Sequence, residues 1–227
     1  MFFSQSVPAS EDYTLPVDRD RLHTATVQER LRLADLIDNL DEAQLATPSL
    51  CEGWDVKTVG AHLVSVLAEG TFKIGLLGWR RGGADRVIDE LARRTARLPA
   101  TEIAANLRML ADQTYWRPPP QASGLLAEVL CHSADIRIPL GLPFGPEPYL
   151  IARALDFLSG PAPIGVVPLG RLRGIRLRAY DIDRTWGDGQ EIRGKATELM
   201  MAAVGRTSAF AALDGPGLPL LRRRIPG

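Results

Sequence analysis

The chain has 227 residues, with 27 Lys+Arg balanced by 27 Asp+Glu and a pI near 6.8. A formal net charge of zero gives no field that would draw it to nucleic acid or an anionic membrane, and no run approaches the ~20 apolar residues of a membrane span. The start, "MFFSQSVPASEDYTLPVD", lacks the basic lead and sustained apolar stretch of a secretory signal. Cys51 and Cys131 cannot build a disulfide framework, so the expected setting is the cytoplasm with reduced thiols, and the expected partner a small molecule or another protein.

In chain order, residues 1–18 are polar with scattered prolines and are expected to form an arm. From Arg19 the chain turns helical, and Leu33, Leu36, Ile37 and Leu40 make the stripe of an amphipathic helix. "ATPSLCEGWD" breaks that helix, and Asp55 caps the next through Val56, Val59, Leu63 and Val66. "RRGGAD" is a turn, Ile88–Leu98 a shorter helix, and Thr101–Thr114 another, ended by the prolines of "RPPPQASG". Leu125–Ile138 and Tyr149–Leu158 complete a predicted bundle.

The Gly- and Pro-rich "SGPAPIGVVPLGRLRG" is the predicted domain boundary. Beyond it the period changes to two, with Ile175, Leu177 and Ala179 alternating with arginines as in a half-exposed strand. "DRTWGDGQ" reads as a turn, Lys195–Val204 as a helix, Gly205 as a break before a short helix from Thr207, and "LPLLRRRI" as a final strand. The expected architecture is α+β: an up-down helical bundle over 1–158 and a small α/β domain over 159–227.

Two of the three histidines fall on inward helix faces. His62 lies three residues after Val59 and four before Val66, and His132 three after Val129 and four before Ile136. Glu128 stands one turn before His132 on the same face. A buried carboxylate needs a partner or a metal, and two imidazoles with one carboxylate form a common catalytic zinc set with an open fourth position; iron and nickel suit the same donors. The spacing equally suits a hydrogen-bonded Glu/His pair and a satisfied core histidine. Asp135 could orient the His132 ring or bridge to an arginine. His23, in the polar "RDRLHTATVQER", reads as surface.

"PSLCEGWDVKTVGAHLV" followed by "LLAEVLCHSADIRIPLG" resembles the mycothiol-dependent maleylpyruvate isomerase family, within the DinB-like metal-binding bundles. "GIRLRAYDIDRTWGDGQEIRGKATELMMAAVGRTSAFAALDGPG" looks like that family's C-terminal α/β domain, with its G-R at Gly205 and Arg206. The resemblance implies a zinc site of His62, Glu128 and His132. It also implies mycothiol as the thiol cofactor, held as a nucleophilic thiolate by the cation, and an isomerase or S-transferase acting on a small electrophile. Arg206 is the match to the arginine that would hold the substrate acid; the other reading is that it caps or pairs at a helix end.

A non-catalytic binding or regulatory bundle, and a hydrolase using zinc-bound water, are the rival classes. Arg222, Arg223 and Arg224 read as a solvated edge, Trp54 as packing for the loop before the His62 helix, and Cys51 and Cys131 as small buried residues. "GQEIRGKA" nearly matches a phosphate-binding loop, but Ala196 lacks the magnesium-binding hydroxyl.

Overall fold

The first helices begin where a side chain satisfies amides of the opening turn. In the computed structural model, which describes residues 18–81, 83–114, 122–161, 163 and 166–225, Asp18 accepts from the Arg21 amide at 2.9 Å and starts α1, Arg19–Asn39. A reciprocal pair between Asp41 and Gln44 caps the short α2, Glu42–Leu45, which the apolar periodicity did not announce. Asp55 accepts from the Thr58 amide at 2.7 Å, as predicted, and starts α3, Val56–Arg81. Gly70, at φ 72° and ψ 150°, breaks α3 internally. The chain returns along it as α4, Ala84–Thr95, and continues through α5, Ala100–Met109, α6, Ala122–Arg137, and α7, Pro148–Leu158. The predicted N-terminal arm and the "RPPP" break lie outside the described residues.

The C-terminal part is a three-stranded sheet, β1 (Ile175–Ala179), β2 (Arg184–Trp186) and β3 (Gln190–Gly194), in the order β2-β1-β3. β1 pairs antiparallel with β2 and parallel with β3, and its burial alternates as its sequence predicts. The fold is α+β. A helix α8 (Ala196–Ala203), a 3-10 turn (Thr207–Ala212) and a last helix α9 (Leu218–Arg224) follow.

Two expectations are corrected here. "DRTWGDGQ" is not all turn, because Arg184–Trp186 pairs with β1 in the register Leu177 to Trp186. "LPLLRRRI" is a helix: Leu218 and Leu221, three apart, and Ile225, four further on, point to one side and are buried. Pro219 suits the first turn of a helix, where no amide partner is lost.

Helix α6 lies between the two main cores. Val129 and Ile136 join α1, α3 and α5, whereas Leu126, Ala127, Leu130, Cys131 and Ala134 join α7, the sheet, α8 and α9. Apolar side chains surround it, as expected of a helix in the middle of a fold. Polar residues on such a helix must find partners, and these make the site described below. Among the described residues no helix is long and apolar enough to cross a membrane.

The link from β2 to β3 crosses the start of β1 at close range. A Cβ at Gly189, whose φ is 127°, would run into the Gly174 carbonyl. Gly189→Ala is therefore expected to cost about 3 kcal/mol in urea denaturation, whereas Gly145→Ala, which meets nothing within 4 Å, should change stability by less than about 0.5 kcal/mol.

Candidate functional site

Asp135 is fully buried and takes hydrogen bonds from three parts of the chain. Arg206, which follows α8, donates through Nε to Oδ1 at 2.8 Å and through an Nη to Oδ2 at 2.7 Å. His132, one turn earlier on α6, donates through Nδ1 to Oδ2 at 3.0 Å. Cys51, from the loop before α3, donates its thiol proton to Oδ2 at 3.0 Å and accepts from the same Arg206 Nη at 3.0 Å.

Burial pushes the Asp135 carboxyl up, but the hydrogen bonds and charges of Arg206 and His132 outweigh it and hold the group well below the usual carboxylate range. Burial also lowers the Arg206 guanidinium, and Asp135 overrides that effect, so the pair stays ionised. The Cys51 thiol is driven far up by burial and by the neighbouring Asp135 charge; it is protonated and a poor nucleophile. Cys131, also buried, is raised for the same first reason.

His62 and His132 meet as the helix faces require, with ring centroids 4.7 Å apart and planes at 71°. His62 is 6% exposed, and burial, then the neighbouring His132, lowers its pKa well below the usual value. It is a neutral imidazole. Its Nδ1 is buried with no hydrogen-bond partner among the described residues. His132, with Nδ1 committed to Asp135, presents Nε2 as its free lone pair.

Glu128 is partly buried, and burial raises its carboxyl above the usual value, an effect that His132 and the Arg30 charge on α1 oppose without cancelling. Arg30 is itself 1% exposed and donates to the backbone oxygens of Ala111 and Gln113 at 2.9 and 2.7 Å.

A metal ion would meet different receptions on the two sides of His132. Among the described residues, the one trio of potential ligands with all donor atoms within 4.8 Å of one another is Cys51, His132 and Asp135. The Arg206 guanidinium already hydrogen-bonds two of these three, so a second cation would face both its charge and a protonated thiol. On the other side stand the orphaned His62 nitrogen, His132 Nε2 and, one turn earlier on α6, Glu128, whose donor atoms do not all come within 4.8 Å of one another. By type, two imidazoles and a carboxyl group suit a divalent metal.

Trp54 tilts over His62 with ring centroids 5.0 Å apart. Its indole N–H donates to Asp89 on α4 at 2.7 Å, and Arg93 ties the same carboxylate to the Gly53 carbonyl. These two hydrogen bonds lower the Asp89 pKa. Trp54 thus packs the loop, as expected, and also walls the histidine. His23 contacts Asp112 at 2.8 Å near the surface. Arg224 donates to the Arg171 and Arg173 carbonyls, which fixes α9 to the segment before β1. "GQEIRGKA" is β3 running into α8, with no phosphate loop.

Sequence reasoning selected both histidines and offered Asp135 two partners, of which it has both. It missed Cys51 in the network, because that contact joins an irregular loop to a helix 84 positions away, where no periodicity exists to read.

Residues 27–114 match the family model described as the mycothiol maleylpyruvate isomerase N-terminal domain. Over those residues the chain is similar to that domain. A crystal structure of the mycothiol-dependent maleylpyruvate isomerase is similar over 90% of this chain and 94% of that one, at 15% identity and a TM-score of 0.58. A histidine-to-alanine mutant of the mycothiol-dependent maleylpyruvate isomerase matches with the same coverage and identity and a TM-score of 0.52. At that identity the likeness establishes the shared fold. No curated protein matches the sequence.

Asp135→Asn would leave the Arg206 charge without its counter-charge and should cost about 3–5 kcal/mol. Because the folded-state pKa of Asp135 is depressed, its contribution is complete above the unfolded value of ~3.9 and disappears as pH falls through the lower folded value. Denaturation from pH 7 downward should therefore show the gap between wild type and variant narrowing only below about pH 4. A gap that narrows already between pH 7 and 5 would contradict the assignment.

Proposed function

We propose that the protein is a metal- and thiol-dependent enzyme of the maleylpyruvate isomerase type, using mycothiol on a small electrophilic substrate. The observation that carries this reading is the pair of imidazoles from two helices, one neutral with a buried, orphaned nitrogen and the other held in a single tautomer. The matching N-terminal domain and the shared fold support it.

His62, Glu128 and His132 would hold the ion, with zinc the first choice for this donor set. When bound, it would supply a cation that keeps a thiol ionised at neutral pH. The remaining roles belong to the chain's own side chains. Asp135 keeps the His132 proton on Nδ1. Arg206 keeps Asp135 ionised and fixed in place. Trp54 shields the His62 ring from water, and the Arg30 charge favours the ionised Glu128. In this division the 1–158 bundle carries the metal, and the 159–227 domain reaches it through Arg206.

The resemblance assigned Arg206 to the substrate acid. With Nε and one Nη on Asp135, the geometry favours the pairing role, and Arg206 acts through His132.

The reading is tested by adding zinc, mycothiol and maleylpyruvate. Wild type should isomerise the substrate only with thiol present. His132→Ala should lose bound metal and turnover together, whereas Arg206→Lys should retain metal and lose about 10–100-fold in activity. Turnover without thiol would place the protein among hydrolases that use metal-bound water, and metal binding without any turnover would make it a binding module.

A further inference from the structure

The side of α6 away from the histidines bears a cavity. Its volume is about 580 Å³, within the usual span of small-molecule sites. Leu130 and Arg137 line it from α6; they stand two positions before and five after His132, roughly 160° and 140° around the helix. A ligand there does not share the His62–His132 site.

Its wall holds three arginines and two glutamates, an excess of one positive charge. Arg21 pairs with Glu147 at 3.2 Å and Arg32 with Glu29 at 3.3 Å. Arg137 donates through Nε to Ser133 Oγ at 3.1 Å, and the Ser133 hydroxyl donates in turn to Glu29 Oε1 at 2.6 Å. The Glu29 carboxylate therefore serves a hydroxyl and Arg32 directly and lies 4.0 Å from Arg137. Among the described residues, neither Nη of Arg137 has a hydrogen-bond partner, although its side chain is only 20% exposed. The partly buried guanidinium thus offers two Nη groups that keep some solvent contact and can take a carboxylate through two parallel bonds. Leu130, Phe144 and Leu150 supply an apolar wall beside it.

We propose that this cavity is a second binding site, independent of the enzyme reading, for a small monocarboxylate with an aromatic or branched apolar body. Its carboxylate lies on Arg137 and its body against Phe144, Leu130 and Leu150. One negative charge neutralises the wall; a dianion would overshoot, and a neutral amide would bring no anion to the Arg137 Nη groups.

Calorimetric titration of the full chain with benzoate, with benzamide as the uncharged isostere, tests the assignment. Benzoate should bind once with a Kd of about 1 mM or tighter, and benzamide should not saturate. Arg137→Gln and Gln28→Trp, the latter a plug introduced at an exposed lining position, should each weaken benzoate about tenfold or more, and His62→Ala should leave it unchanged. Circular dichroism confirms folding, and Gln28→Trp carries the test if Arg137→Gln fails to fold. Non-saturating benzoate, binding indifferent to the plug, or binding lost in His62→Ala would each overturn the proposal.

Discussion

A carboxylate with no solvent contact sits in the last turn of α6, and much of the structure follows from its need for partners. An unpaired charge at Asp135 would cost several kcal/mol. Its partners come from the loop before α3, from its own helix and from the turn after α8. Satisfying one side chain therefore fixes the rotation of α6, seats the 47–55 loop and docks the C-terminal part on the bundle. Apolar packing around α6 supplies the bulk of the stability but little direction; the Asp135 hydrogen bonds supply the register.

The same constraint prepares the histidines. Asp135 selects the proton position on His132 and so exposes Nε2, while burial keeps His62 neutral. The Trp54 and Asp89 contacts then close the loop over the His62 ring. Arg206 divides the neighbourhood electrostatically. On its side the Cys51, His132 and Asp135 trio already has a cation, and the thiol stays protonated. On the other side, among the described residues, no arginine hydrogen-bonds the His62 and His132 rings, and the Arg30 charge acts on Glu128. The proposed metal belongs to that second side for this reason.

The helices were legible because each burial stripe recurs at helical spacing, and the cap at Asp55 and the inward faces of His62, Glu128 and His132 are local consequences of that period. β1 was legible because its arginines alternate with apolar residues. β2 was hidden in a Gly- and Asp-rich turn signal, since three residues are too few for a period to emerge. α9 was misread as a strand because seven residues with three leucines and three arginines fit either period, and only packing of Leu218, Leu221 and Ile225 decides between them. The place of Cys51 and the identity of the arginine that pairs with Asp135 were not legible, because both contacts join an irregular segment to a helix far away in the chain. The resemblance pointed to Arg206 for the substrate acid, whereas two of its donor groups are committed to Asp135.

The central claim is that the ion lies on the His62 and Glu128 side of His132, and metal content by elemental analysis tests it most directly. Wild type, Glu128→Gln and Cys51→Ser would be purified without tag or chelator and reconstituted with zinc. The account predicts about one zinc per chain in wild type and Cys51→Ser, and its loss in Glu128→Gln. Zinc retained in Glu128→Gln but lost in Cys51→Ser would assign the ion to the Cys51, His132 and Asp135 trio, and zinc absent from all three would remove the metal from the account.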